Sequence, residues 1–182
     1  KVVLEVPAAA ALKTLGLGQP SVPVKAYRVD LAGGTPSLTV AYEGPIQTPL
    51  TDPKEEYTRG FRETPGLIGP EGVYLAGSTV WHPQFGTDLT RFTIDAAAPA
   101  DWHVISQGNG TSKGPDGRAR WESGGEMDEI YLVGGPLRVF KDSAGSVETL
   151  VYLHENDGAT AGKYLAATAQ YIEMYRSLIG PY

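Results

Sequence analysis

The stretch EIYLVGGPLRVFKDSAGSVETLVYLH (residues 129–154) runs directly into ENDGATAGKYLAATAQYIEMYRSLIGPY (155–182), and the change of period between them decides the fold. The first part consists of short β-branched and aromatic runs. They fall in two stretches, EIYLVGGPLRVFKD (129–142) and VETLVYLH (147–154), with the turn KDSAGS (141–146) between them, which reads as antiparallel strands joined by a tight turn. After His154 the spacing widens to three and four. Tyr164, Leu165, Thr168, Tyr171, Ile172, Tyr175, Leu178 and Ile179 fall on one side of an amphipathic helix. Asp157 is placed to cap its start, and Gly180-Pro181 stop it. The stripe is broad and aromatic, so the helix expects a large apolar surface to lie on.

Working back towards the start, period-two alternation marks further strands. VVLEV (2–6) opens, and VKAYRVDL (24–31) sets Tyr27, Val29 and Leu31 on one side. After the glycine-rich turn LAGG, PSLTVAYEG (36–44) puts Leu38, Val40 and Tyr42 opposite Ser37, Thr39 and Ala41. GVYLAG (72–77), TRFTIDAAA (90–98), DWHVISQG (101–108) and RARWES (118–123) continue the pattern, with NGTSKGPDGR (109–118) as a tight hairpin connection. The 23 glycines and 14 prolines suit many short strands joined by turns. The expected fold is mainly β: an antiparallel, saddle-like β-sandwich over residues 1–156, followed by one C-terminal α-helix in 157–182. Residues 44–72 are different, rich in Pro, Gly and charge with no sustained period. Such an excursion either contacts a partner or is surface chain packed by Tyr57, Phe61 and Ile68.

Composition excludes several classes. The chain has 182 residues, 41% hydrophobic and 20% charged, with a net charge of −6. That is ordinary for a globular protein with a core of its own. The acidic balance and the lack of any basic run argue against a nucleic-acid partner. No cysteine is present, which removes disulfides, Cys-ligated zinc, iron–sulfur clusters and thiol nucleophiles together. No apolar stretch reaches the roughly 20 residues that span a bilayer. The first residue is Lys and KVVLEV reads as a strand already under way, so a leader is either removed or lies outside this sequence. The lack of cysteine does not fix the compartment, and a periplasmic or secreted location is a guess.

Chemistry-bearing motifs are few. His154-Glu155 opens like a zincin helix motif, but the second His would stand at Gly158. Nothing in the sequence brings His82 and His103 together. GTSKG (110–114) matches G-x-S-x-G in form only, because its flanks are hairpin loop and not a strand and a helix. Asn109 heads a formal glycosylation sequon. Glu122, Glu126, Asp128 and Glu129 could pair for acid–base work, but they read as a solvated turn between strands. The run STVWHPQFGTD (78–88) is more informative. Trp81, His82, Gln84 and Phe85 set aromatic and hydrogen-bonding groups side by side, and Pro83 forbids a regular central strand. Either the run is a contact loop for a ligand or another domain, or Trp81 is a core-edge residue beneath a bulge.

Four segments occur here in one order: GVYLAGSTVWHPQF, TRFTIDAAAPADWHVISQGN, MDEIYLVGGPLRVF and KYLAATAQYIEMYRSLIGPY. Together they resemble the N-terminal region of bacterial zinc aminopeptidase-like proteins, the gluzincins typified by aminopeptidase N. The resemblance implies a saddle-shaped β-sandwich whose last helix leads into a thermolysin-like catalytic domain. It places the zinc-binding His-Glu-x-x-His, a further Glu ligand and a Gly-x-Met-x-Asn substrate motif downstream of the equivalent of Tyr182. None of these occurs in the 182 residues. No catalytic or metal-ligating residue is therefore expected in this chain, and zinc is implied for the parent protein alone. His82 and Gln84 sit near where the family holds its substrate's free amine. The longer motif around that position is absent, so the role is carried onto neither.

The implied function is non-catalytic: to pack on the downstream catalytic domain and wall one side of a peptide-substrate cleft. Trp81, His82, Gln84 and Phe85 are the candidates for cleft or domain interface. Tyr164, Ile172, Tyr175 and Ile179 are the candidates for the catalytic-domain-facing side of the helix, which could alternatively bury itself against a second copy. The other reading is a stand-alone β-sandwich that binds carbohydrate or protein through residues 81–85 and 44–72.

Overall fold

The computed structural model describes residues 2–16, 20, 22–31, 33, 37–51 and 64–181. Tyr57 and Phe61, expected to pack the excursion, lie outside the described residues. The fold is mainly β, with eleven antiparallel strands and two α-helices among the described residues.

At the N-terminal end, β1 (Val2–Val6) pairs with β2 (Ala26–Asp30) in a two-stranded sheet, with Val3 opposite Val29. Between them lies a helix the alternation did not announce, α1 (Ala8–Thr14). Its four consecutive alanines are the strongest helix formers, but seven residues are too few to display a period.

The strand expected at 36–44 is corrected. Residues 37–45 show no ladder pairing, and Val40 and Tyr42 are exposed. Alternation marks an extended chain with two unlike faces, but a strand also needs a partner edge. The edge is found two residues later. Ile46 and Thr48 bond the backbone of β3 (Gly66–Gly69), through Ile68 N–H to Ile46 O (2.7 Å) and Thr48 N–H to Gly66 O (3.1 Å).

The body is a sandwich-like pair of sheets. A four-stranded sheet has the order β3, β4 (Gly72–Leu75), β9 (Leu132–Gly135), β6 (His103–Ile105). A three-stranded sheet has the order β5 (Thr93–Ala96), β8 (Ala119–Glu122), β7 (Asn109–Thr111). The hairpin turn read from Pro115-Asp116-Gly117 joins β7 to β8. Gly117 sits at φ +78°, and Gly114 N–H bonds Arg118 O at 2.7 Å. Asp116 accepts from the Arg118 amide and pairs with Arg120 at 2.5 Å. These bonds hold its carboxyl well below the usual range, at about 2.

The two sheets meet at Val104. Its N–H donates to Ser112 O (3.0 Å), and its carbonyl accepts the Trp121 indole N–H (2.9 Å). Val104, Ala119 and Trp121 form the core, flanked by Ile94, Ala96, Ala98, Ile105 and Leu132.

Gly135-Pro136 breaks the expected strand at 129–142, because proline cannot donate to a central ladder. The chain then forms a separate hairpin of β10 (Arg138–Ala144) and β11 (Val147–Leu153), turning at Gly145 with φ +67°. The C-terminal helix α2 (Gly158–Leu178) follows and lies on this hairpin. Asp157 caps it as read from the sequence, accepting from Thr160 N–H at 3.0 Å.

Candidate docking loop and helix face

β4 leads into a 3-10 turn at Gly77–Thr79, pinned by a buried threonine. Thr79 Oγ1 accepts from Ala76 N–H and donates to the Pro65 carbonyl. The next residue, Val80, holds φ +51° and ψ +40°. A β-branched side chain in the left-handed region is strained by about 1–3 kcal/mol and persists only where its surroundings over-determine it.

What determines it is a clasp around residues 129–131. Trp81 Nε1–H donates to Ile130 O at 3.1 Å. Glu129 Oε2 accepts from Gly77 N–H at 3.0 Å, and Glu129 Oε1 accepts from the Tyr131 hydroxyl. Gln107 bonds on both sides, donating to Glu129 O (3.1 Å) and accepting from Tyr131 N–H (2.8 Å). Ser106 Oγ donates to Tyr131 O at 2.6 Å. Where β6 ends at Ile105, the side chains of Ser106 and Gln107 thus continue its ladder. Of the four acids read as a solvated turn, Glu126 and Asp128 are exposed between strands, Glu122 is exposed at the end of β8, and Glu129 is half-buried and held in the clasp. The hydrogen bond to Glu129, reinforced by burial and by the carboxylate's charge, pushes the Tyr131 hydroxyl up to about 12.

This clasp brings three of the four loop candidates together. The rings of Trp81 and His82 meet edge to face at 5.1 Å, and Tyr42 donates to the Trp81 carbonyl at 2.8 Å. Gln84 Nε2 reaches Gly77 O at 3.5 Å. Phe85 stands apart, 74% exposed. The sequence reading singled out the loop but missed Gln107 and Tyr131 and took Glu129 for solvated turn, and these three hold it. Their only signal was a polar pair just after one strand and an acid just before another.

The helix has two faces of different fate. Ala161 and Leu165 are buried and Ile172 is half-buried. Arg176 Nη2 reaches Ala144 O at 3.4 Å. At 100° per residue these fall on one stripe, the one packed on the hairpin. A second stripe, about 100° round, carries Tyr164, Tyr171, Tyr175 and Leu178. Its three tyrosines are 51–59% exposed and Leu178 is 73% exposed. Of the helix candidates, Tyr164, Tyr175 and Ile179 are exposed, whereas Ile172 belongs to the packed side.

The remaining histidines and Ser112 lie elsewhere. Ser112 sits in the β7–β8 turn with its Oγ 2.9 Å from His103 Nδ1. Burial, then the charge of Lys113, lowers the His103 pKa. His154 is exposed just past β11. Among the described residues, no group of three His, Asp or Glu side chains is gathered to hold a metal. Among these residues, too, no helix is long and apolar enough to cross a membrane. No protein-family model, curated protein or solved structure matches the chain.

Proposed function

We propose that this chain is a non-catalytic β-sandwich module of a gluzincin-type zinc metallopeptidase. It packs on the catalytic domain and shapes one wall of the peptide cleft. One observation carries the reading: α2 offers a second stripe of tyrosines and leucine beside the stripe it already buries. An exposed face of that kind marks a docking surface, and aromatic residues are the common anchors of such surfaces. The rigidly clasped Trp81 loop supplies a second, preformed contact. The zinc and its general base belong to the catalytic domain.

The test co-expresses the chain with the catalytic domain of the same protein. The two should co-purify, and a Tyr171→Asp/Tyr175→Asp double variant should lose the association by at least tenfold. The purified chain should leave aminoacyl-arylamides intact. Chelator-sensitive hydrolysis by the chain itself, or undiminished association of the double variant, would overturn the reading.

The second reading, a stand-alone binding module, draws on strained Val80 and exposed Phe85. It predicts that glycans or peptides quench Trp81 emission in the isolated chain.

A further inference from the structure

The hairpin and helix form one unit, residues 138–181, that is joined sparingly to the sandwich. Among the described residues a single hydrogen bond crosses between them. The Tyr152 hydroxyl donates to Ser112 Oγ at 3.3 Å. Ser112 Oγ lies 2.9 Å from His103 Nδ1, and the His103 and Tyr152 rings stand 6.1 Å apart, tilted by 60°. The covalent link is Gly135-Pro136-Leu137, closed by Leu137 N–H to Gly135 O at 2.8 Å.

We propose that the β10–β11 hairpin with α2 is an arm latched to the sandwich by the chain His103–Ser112–Tyr152, and that protonation of His103 releases it.

With Tyr152 donating to Ser112, the serine hydrogen is free to donate to Nδ1. That requires a neutral His103 with its proton on Nε2. A proton added at Nδ1 turns this acceptor into a donor, and Ser112 must turn its own hydrogen away. The surroundings oppose the cation. Lys113 follows Ser112 in the turn and lowers the His103 pKa alongside burial. The His154 ring lies against Gly135, the residue paired with His103. Asp101, two residues before His103, and Glu71, whose carbonyl abuts Gly135, are nearby acids, and neither bonds the ring. When the arm leaves, His103 on β6 loses the cover of the Tyr152 ring while Lys113 stays beside it, so its pKa rises from the latched value towards the ordinary one. The latched state then binds fewer protons, so the latch weakens as pH falls below about 6.5.

Hydrogen exchange at about pH 7.5 and 5.5, corrected for intrinsic rates, tests this on the intact chain. Peptides from β10 to α2 should exchange several-fold faster at the lower pH, while those from β5 and β8 hold. His103→Gln should abolish the step. Tyr152→Phe should loosen the arm at both pH values, and His154→Gln should leave the step in place. A step that survives His103→Gln, or sandwich peptides that loosen in parallel, would overturn the proposal. So would an NMR titration of His103 in the unaltered protein with a midpoint at or above 6.5.

Discussion

Replacing Gly77 with alanine sets a methyl group against a carboxylate. A Cβ at this position would lie 2.3 Å from Glu129 Oε2 and 2.9 Å from Glu129 Cβ. Gly77 is not in the left-handed region, so the cost falls on the clasp and not on the backbone. Glu129 must swing away, giving up the bond from Gly77 N–H and the one from Tyr131. Hydrogen bonds to charged groups contribute about 1.5–3 kcal/mol net. The site is only half-buried, so water recovers part of that, and the expected loss is about 2 kcal/mol. Urea unfolding followed by tryptophan emission measures it. In a Glu129→Gly background, which removes both contacts, the same glycine change should cost less than about 0.5 kcal/mol. The Tyr131 hydroxyl should also titrate closer to its ordinary 10 in the Gly77→Ala protein. An equal cost in both backgrounds would refute the reasoning, because the methyl would then be meeting something other than Glu129.

Other consequences can be measured separately. Trp121→Ala should destabilise the chain by about 3–5 kcal/mol in urea titration, because it opens the core and orphans the Val104 carbonyl. A loss under about 1 kcal/mol would mean the sheets are not held there. Hydrogen bonds from the Thr160 hydroxyl and amide lower the Asp157 pKa below 3.8. Its cap should be fully present above that pH and fade as pH falls through the lowered value. Circular dichroism should show this loss in the native chain and no such step in Asp157→Asn. Leu178→Ser should leave unfolding stability within about 0.5 kcal/mol, since the side chain is 73% exposed. A larger loss would place Leu178 in a core within the chain.

The parts of the fold legible in the sequence were those set by neighbours along the chain. α2 was legible because its apolar spacing repeats over 21 residues and Asp157 supplies a cap. The turns at 115–117 and 145 were legible because glycine and aspartate fix them locally. Pairing was not legible. β6 bonds β9 across a wide gap in sequence, and the extended run 37–45 carries a strand's pattern without a strand's partner. The Trp81 loop could be picked out by composition, whereas its clasp gathers residues 77, 81, 107 and 129–131 from three segments. Glu129 sat in a cluster of acids that alike suggested solvent, and only the approach of Gly77 sets it apart.

α2 is also a lever. Twenty-one residues at 1.5 Å each make a rod about 32 Å long, laid along the hairpin from Ala161, buried in its first turns, to Arg176, which reaches Ala144 O at 3.4 Å in its last. Hairpin and helix therefore turn as one body, and a tilt of about 10° about the Gly135-Pro136 link sweeps the far end of α2 through roughly 5 Å, more than a side-chain contact can span. Small changes at that link are read out most strongly at Tyr175 and Leu178. A spin label at Leu178, paired with one on β8, would register shifts of the hairpin too small to see at the hairpin itself.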